Sequence, residues 1–197
     1  MRICTIFLTL ISLALTSCAR YSARPLAELH PKLYVTDNEE VFVACHALTR
    51  AECRAFFDRD IVGQGYQPVQ IAITNTSDAT YVLRREGLSL VTAPPEHVAS
   101  LVYTSTVGRV VAYGIGGIFF FPLWIPAVID GYGSAEANRK LDADFREKSL
   151  QEVQLIPSHS VLSKVVFVPM NPRERDVRLS LVDAMSDDTV DIDVPIR

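Results

Sequence analysis

The sequence has no excess of positive charge and no clustered histidines. Its 197 residues carry 19 lysines and arginines against 23 aspartates and glutamates, and the basic residues are scattered along the chain. We therefore expect no nucleic-acid partner, because phosphate binding needs a concentrated basic surface. The four histidines lie far apart, so no local metal-ligand spacing exists, and we predict no metal site and no cofactor.

Familiar catalytic patterns are also missing. A nucleophile adjoins a base in Ser158-His159-Ser160, but no G-x-S-x-G turn surrounds either serine. Gly114-Ile115-Gly116-Gly117 lacks the Lys-Ser/Thr pair that completes a phosphate-binding loop. We therefore predict no catalytic residue and a protein that is not an enzyme.

The N-terminus has the organisation of an export signal. Arg2 precedes an apolar run that is too short to span a bilayer and that ends at Leu15-Thr16-Ser17-Cys18. This ending resembles the bacterial lipobox, in which the cysteine receives a diacylglycerol and the preceding residues are removed. The resemblance implies a signal peptide over residues 1–17, lipidation of Cys18 and attachment to a membrane.

The residues that follow Cys18 predict a tether and a location. Residues 18–38 lack periodicity and contain two prolines, which suits a lipid-anchored tether ahead of a single domain at 39–197. Ala19 stands where aspartate favours inner-membrane retention in many Gram-negative bacteria. The resemblance therefore leans toward a cell-envelope protein of the outer membrane that faces the periplasm.

Two further cysteines predict a disulfide bond. Cys45 and Cys53 form an even pair, and an exported protein folds in an oxidising compartment. On one helix they would lie too far apart to bond, so a turn must separate them. The capping-box residues Thr49 and Glu52 predict such a turn, followed by a short helix to about Phe57.

Seven short segments with alternating apolar residues predict a β-sandwich. In the clearest of them, residues 66–75, Val69, Ile71 and Ile73 share one face. The other segments, which are separated by turn-forming residues, are 41–47, 80–84, 88–92, 163–168, 177–182 and 189–194. We predict an α+β protein with an immunoglobulin-like β-sandwich.

A helical insertion interrupts these strands at about residues 97–150. Val110 to Ile129 contains no charged residue and is long enough to span a bilayer as a helix, but Pro122 and Pro126 disfavour one straight helix. We predict instead an apolar helical hairpin over roughly residues 97–129.

The insertion also carries patterns for helix packing. Gly108, Ala112 and Gly116 are four residues apart and form a small-residue stripe that lets another helix approach closely. An amphipathic helix is predicted from 134 to 150, with Leu141 and Phe145 on its apolar side.

Several of these motifs together resemble a group of uncharacterised bacterial lipoproteins. The resemblance covers roughly residues 40 to 170. It rests on Tyr66-Gln67-Pro68-Val69-Gln70-Ile71 with Asn75, the glycine-containing apolar stretch, the helical Ala137-Asn138 to Leu150 pattern, and Ile156-Pro157 ahead of Val166-Phe167-Val168. It implies a lipoprotein but no activity and no role for any residue.

Two functions fit these features. The first is a lipid-anchored, non-enzymatic binding or structural module that contacts an unknown envelope protein or a second copy of itself. The alternative is a membrane-active component whose segment 110–129 enters the bilayer and self-associates. The two differ in whether the apolar segment packs against protein or against lipid.

Lipidation of Cys18 is directly testable. In cells fed radioactive palmitate, the wild-type chain should become labelled, and Cys18→Ala should abolish the label and leave an uncleaved precursor, because the acylated thiol is required for processing. Cys4→Ala provides a matched control that should keep full labelling. Unchanged labelling of Cys18→Ala would contradict the anchor.

Overall fold

The computed structural model describes residues 20–29, 34–35, 40–104, 124–170 and 176–196, with the backbone alone at 34–35 and 124–132. The chain divides into two units. The sandwich unit comprises Ala23–Val102 and Asp144–Arg197, and the insertion unit includes the described parts of Met1–Ser22 and Tyr103–Ala143.

Eight strands lie within the described residues of the sandwich unit. In chain order they are β1 (Tyr34–Val35), β2 (Val41–Ala47), β3 (Tyr66–Asn75), β4 (Tyr81–Leu88), β5 (Val153–Ile156), β6 (Ser160–Pro169), β7 (Asp176–Asp183) and β8 (Thr189–Pro195). They form two antiparallel sheets, the first in the order β1-β2-β3-β6 and the second in the order β5-β4-β7-β8. The predicted α+β sandwich is confirmed at this level.

The core fills the space between the inner faces of the two sheets. Val69, Ile71 and Ile73 of β3 alternate into it, as predicted, and are fully buried. Leu83 of β4 and Leu179 of β7 face them from the second sheet. Burial of side chains of this size contributes about 2 kcal/mol each, so the core holds the two sheets together.

The prediction of two separate short strands between residues 80 and 92 is wrong. Segments 80–84 and 88–92 were expected to be separate, but β4 runs through Leu88 with a register shift between Leu83 and Leu88. Gly87 lies at this irregularity, where an added Cβ would come within 3.1 Å of the Ser180 carbonyl oxygen. The glycine lets β4 pass close to β7 and continue as one strand.

Three α-helices lie among the described residues: α1 (Arg50–Phe57), α2 (Pro95–Leu101) and α3 (Trp124–Lys148). The predicted capping box at the start of α1 is confirmed. The Glu52 N–H donates to the Thr49 hydroxyl, and the Thr49 N–H donates to the Glu52 carboxylate at 2.7 Å. Asp58 then ends α1 in a left-handed conformation with φ of 52°.

Three phenylalanines cover the outer face of the first sheet. Phe167 of β6 points outward because its neighbours in the strand face the core. Its ring centroid lies 5.7 Å from that of Phe57 on α1 and 5.4 Å from that of Phe145 on α3, and the latter two are 4.8 Å apart. All three are buried, so α1 and the end of α3 pack against this face.

A buried lysine reinforces the same packing. The Lys148 ammonium donates to the Asp144 carboxylate and to the Phe56 carbonyl, both at 2.6 Å, and lies 5.4 Å from the centre of the Phe57 ring. Because a buried charge is costly without partners, these contacts fix the end of α3 to the end of α1.

Part of the predicted tether folds onto the sandwich. Leu26 is buried, the Arg24 N–H donates to the Ala55 carbonyl at 3.0 Å, and the Gln70 amide donates to the Leu29 carbonyl at 3.2 Å. The segment from Ala23 to Leu29 therefore covers more of the first sheet's outer face.

The predicted insertion is partly described. A helix is present where one was predicted at 134–150, but α3 begins earlier and ends at Lys148. Pro126 lies near its start, where proline is tolerated. Within the insertion unit, the Tyr103 hydroxyl lies 2.7 Å from both carboxylate oxygens of Asp142, and the Thr104 N–H donates to Asn138 at 3.0 Å. The turn of the predicted hairpin lies outside the described residues.

Candidate binding face

The outer face of the second sheet differs from that of the first. The side chains of Leu155 on β5, Val82 on β4 and Val182 on β7 stand opposite one another in adjacent strands. Each alternates with a residue that points into the core, so the three form a row on the outside. The row crosses three of the four strands of this sheet.

The apolar part of this face is exposed. Leu155 is 58% exposed and its strand neighbour Val153 is 48% exposed, while Val82 and Val182 are half-buried. Scattered exposed apolar residues are common, but four on adjacent strands of one sheet make a continuous patch.

Polar pairs border the patch on the side of β8. The Arg178 guanidinium donates to both carboxylate oxygens of Asp193, at 2.8 and 3.1 Å, and the Ser180 hydroxyl donates to Asp191. The hydrogen bond from Arg178 holds the pKa of Asp193 below its ordinary value, and the same bond raises the pKa of Arg178. We call the whole surface the open face, and it consists of Val82, Val153, Leu155, Val182, Arg178, Ser180, Asp191 and Asp193.

Sequence reasoning missed the apolar half of this face because it missed β5. The segment Val153-Gln154-Leu155-Ile156 has apolar residues at three of four positions and does not alternate in hydropathy. One signal for β5 was available in the sequence, namely its position directly before Pro157. Proline lacks the N–H that a strand donates, so it marks the end of a strand or the edge of a sheet. At the opposite edge of this sheet, Asp191 and Asp193 of β8 are exposed on the surface.

The predicted disulfide is wrong, because Cys45 and Cys53 are both buried free thiols. Cys45 points from β2 into the sandwich core, on the same side as Val41 and Val43. Cys53 lies on α1, where its thiol is 4.0 Å from the Leu48 carbonyl. The turn between them is present, but the two side chains face different surroundings.

Both thiols are unreactive by their environment. Burial raises the pKa of Cys45 to about 12, and burial together with the nearby Asp60 and Glu52 carboxylates raises the pKa of Cys53 to about 12. Since the thiolate is the reactive form, neither side chain is poised for nucleophilic or redox chemistry.

The remaining predicted site residues are placed as follows. Cys18 and the stripe of Gly108, Ala112 and Gly116 lie outside the described residues. His159, for which no catalytic role was predicted, is exposed, and its ring lies 2.9 Å from the Asp78 carboxylate.

Two features of the described chain bear on ligands and membranes. Among the residues that the structure places, no group of three or more histidines, cysteines, aspartates or glutamates is arranged to hold a metal ion. Within the same ranges, each helix falls short of the length or the apolar character that crossing a membrane requires.

A small cavity lies between the two sheets near the Arg85 side chain. Its volume is about 10 Å³, which is the space of a single water molecule. The Arg85 guanidinium, which lines the cavity, donates to the Leu150 carbonyl at 2.6 Å and pairs with Glu152 at 2.9 Å.

Comparisons with known proteins give limited similarity. No protein-family model matches the chain, and no curated protein sequence matches it. Among solved structures, the apo PmoF2 PCuAC domain is 12% identical, with a TM-score of 0.34 over 84% of this chain and 94% of that domain. The copper-bound PCuAC domain from PmoF2 is 11% identical, with a TM-score of 0.30 over 84% of this chain and 97% of that one. Similarity at this level does not transfer a ligand or a function.

The two thiols give a direct test of the corrected site. In folded protein, Cys45 and Cys53 should react with iodoacetamide about a thousandfold more slowly than an ordinary thiol, because their thiolate forms are scarce. After denaturation without reductant, both should be alkylated at ordinary rates, as measured by mass spectrometry of the peptides. Recovery of a Cys45–Cys53 linked peptide would contradict the free thiols.

Proposed function

We propose that this protein is a lipid-anchored envelope protein that acts as a non-enzymatic binding module and contacts another envelope protein through the open face. The anchor is Cys18, and the location is the periplasmic side of the outer membrane. The observation that carries the proposal is the unequal covering of the two sheets.

The first sheet is covered by its own chain around Phe167, although Val161 near the start of β6 stays exposed. In the second sheet, the described residues leave Val153 and Leu155 about half exposed. An apolar centre with a polar rim is the usual anatomy of a protein-binding surface, and here Arg178–Asp193 supplies the rim.

The strand order supports an immunoglobulin-like sandwich as the scaffold. If β2 to β8 are named A, B, C, C′, E, F and G in chain order, the first sheet contains A-B-E and the second contains C′-C-F-G. This is the division of strands that immunoglobulin-like folds share, with the crossings between sheets at the same steps. In such a scaffold, a sheet face or a loop cluster binds, while the core serves stability.

The lipid anchor fits the position of the first folded segment. Cys18 is five positions along the chain from Ala23, where the sandwich unit begins. Fully extended, this stretch reaches about 17 Å. A module with so short a connection to its lipid anchor would stay close to the membrane and would meet partners that are attached to the same membrane.

The membrane-active alternative rests on the uncharged run from Val110 to Ile129. It concerns residues that lie mostly outside the described chain. A lipid anchor already supplies attachment, so the insertion is free to pack against protein.

Site-specific photo-crosslinking in living cells tests the binding role. A photoreactive phenylalanine analogue at Val182, in the middle of the open face, should give one dominant adduct with an envelope protein. The matched control is the same analogue at Val161, which is 72% exposed on β6 of the first sheet and should give none.

A second substitution tests whether the adduct reports specific binding. Val82→Glu places a charge beside position 182 and should reduce the Val182 adduct at least about tenfold, since a buried unpaired charge costs several kcal/mol. An adduct that is equally strong from Val161, or that survives Val82→Glu, would contradict the proposal.

A further inference from the structure

The edge of the second sheet carries unpaired backbone groups. β5 pairs with β4 on one side, and no described strand pairs with its other side. The Arg85 N–H donates to the Glu152 carbonyl at 3.0 Å, which shows that Glu152 turns its backbone groups toward β4. Because alternate residues of an antiparallel strand face opposite neighbours, Gln154 and Ile156 also bond to β4, while Val153 and Leu155 direct their N–H and C=O groups outward.

This four-residue edge lacks several of the features that usually prevent pairing. Val153–Ile156 contains no charged residue, no proline and no bulge. Other described edges are partly covered. Ala93 and Ser149 bridge to β6, and Ile196 beyond β8 bridges to Cys45 of β2. An uncovered apolar edge of this kind is a template for another strand.

Gln154 adds a polar group without a partner. Its amide oxygen is buried and accepts no hydrogen bond from the described residues, while its amide nitrogen lies 3.3 Å from the Leu155 carbonyl of its own strand. Buried acceptors are nearly always satisfied, so an unpaired one at a sheet edge points to a donor other than the described residues of the chain.

We propose that the missing neighbour is a second copy of this chain, joined by antiparallel pairing of β5 with β5 about a twofold axis at Gln154. In this register, Val153 of each copy stands opposite Leu155 of the other. The four outward N–H and C=O pairs of these residues then bond reciprocally, and the two β5 strands unite two four-stranded sheets.

In the same register, the side chains on both faces of the paired β5 strands also find partners. On the outer face, Val153 and Leu155 contact each other across the axis, which extends the apolar row of the open face from one copy to the next. On the inner face, the two Gln154 residues stand opposite each other as a non-hydrogen-bonded pair, the position at which antiparallel strands approach most closely. Each Gln154 amide oxygen can therefore accept a hydrogen bond from the amide nitrogen of the other copy.

A second copy fits this edge better than a strand from another protein, because the Gln154 amide carries both the donor and the acceptor that the contact needs. A register centred on Gln154 matches apolar with apolar and amide with amide, as a twofold contact demands. A foreign strand would need its own donor at the position opposite Gln154. The pairing does not require the proposed binding role, since it uses the edge of the sheet and not the centre of the open face.

Cysteine crosslinking of the full-length chain in intact membranes tests the pairing. In Gln154→Cys, the two new thiols would lie at a Cα separation of about 4.5 Å, within the range of a disulfide. After mild oxidation and quenching with N-ethylmaleimide, a non-reducing gel should show a dimer of this chain. Cys45 and Cys53 are buried and should not contribute.

The matched control is Val153→Cys, whose thiol would face Leu155 and not its own counterpart. Its dimer yield should be at least about tenfold lower, because two residues offset the thiols along the strand. Equal yields from the two variants, no dimer from Gln154→Cys, or an adduct with a different protein would overturn the proposal.

A second measurement does not depend on disulfide formation. Leu155→Lys places a charge at the pairing edge and should convert the detergent-extracted chain from a dimer to a monomer in analytical ultracentrifugation. Val161→Lys, at an exposed site on the first sheet, should leave the dimer intact. A wild-type chain that is already monomeric, or a Leu155→Lys chain that stays dimeric, would overturn the proposal. The Val182 photo-adduct tests the binding role of the open face and is independent of this result.

Discussion

The contact among Phe57, Phe145 and Phe167 determines how the surface of the sandwich is divided. A sheet in a two-layer sandwich buries one face in the core and leaves the other to solvent unless something covers it. Here three aromatic rings from α1, α3 and β6 lie within 5.7 Å of one another on the outside of the first sheet. The buried Lys148–Asp144 pair strengthens this cover by tying α3 to the carbonyl of Phe56. The cover buries the centre of one face, whereas Val153 and Leu155 of the other sheet stay about half exposed among the described residues.

The second sheet is left with an apolar row and an unpaired edge that lie next to each other. Leu155 belongs to both, because its side chain is on the open face and its backbone groups are at the edge. Pairing two β5 strands would lengthen the row without covering it, whereas a protein on the face would cover the row without using the edge. A lipid anchor would favour both contacts, because confinement near a membrane raises the local concentration of neighbouring proteins.

Sequence reasoning succeeded where a local pattern carries the information. The alternation of Val69, Ile71 and Ile73 reports burial on one side, and the Thr49–Glu52 spacing satisfies helix amides within four residues. It failed where the answer depends on distant packing. The spacing of Cys45 and Cys53 allows a turn, but the core that receives Cys45 is built by strands far along the chain. In the edge strand β5, the apolar side chains are exposed and the glutamine is half-buried, whereas a strand normally buries its apolar side chains and exposes its polar ones. The open face therefore could not be predicted from the hydropathy of this segment.

Carbene footprinting tests most directly whether the open face is a contact surface. The labelling of peptides that contain Val82 and Val182 would be compared between purified, detergent-extracted protein and intact cell envelopes. We expect strong labelling in the purified protein and strong protection in the envelope, while the peptide that contains the exposed Met185 at the β7–β8 turn is labelled equally in both. Equal labelling of Val82 and Val182 in the two preparations would contradict the proposed contact, because the open face would then be unoccupied in the envelope.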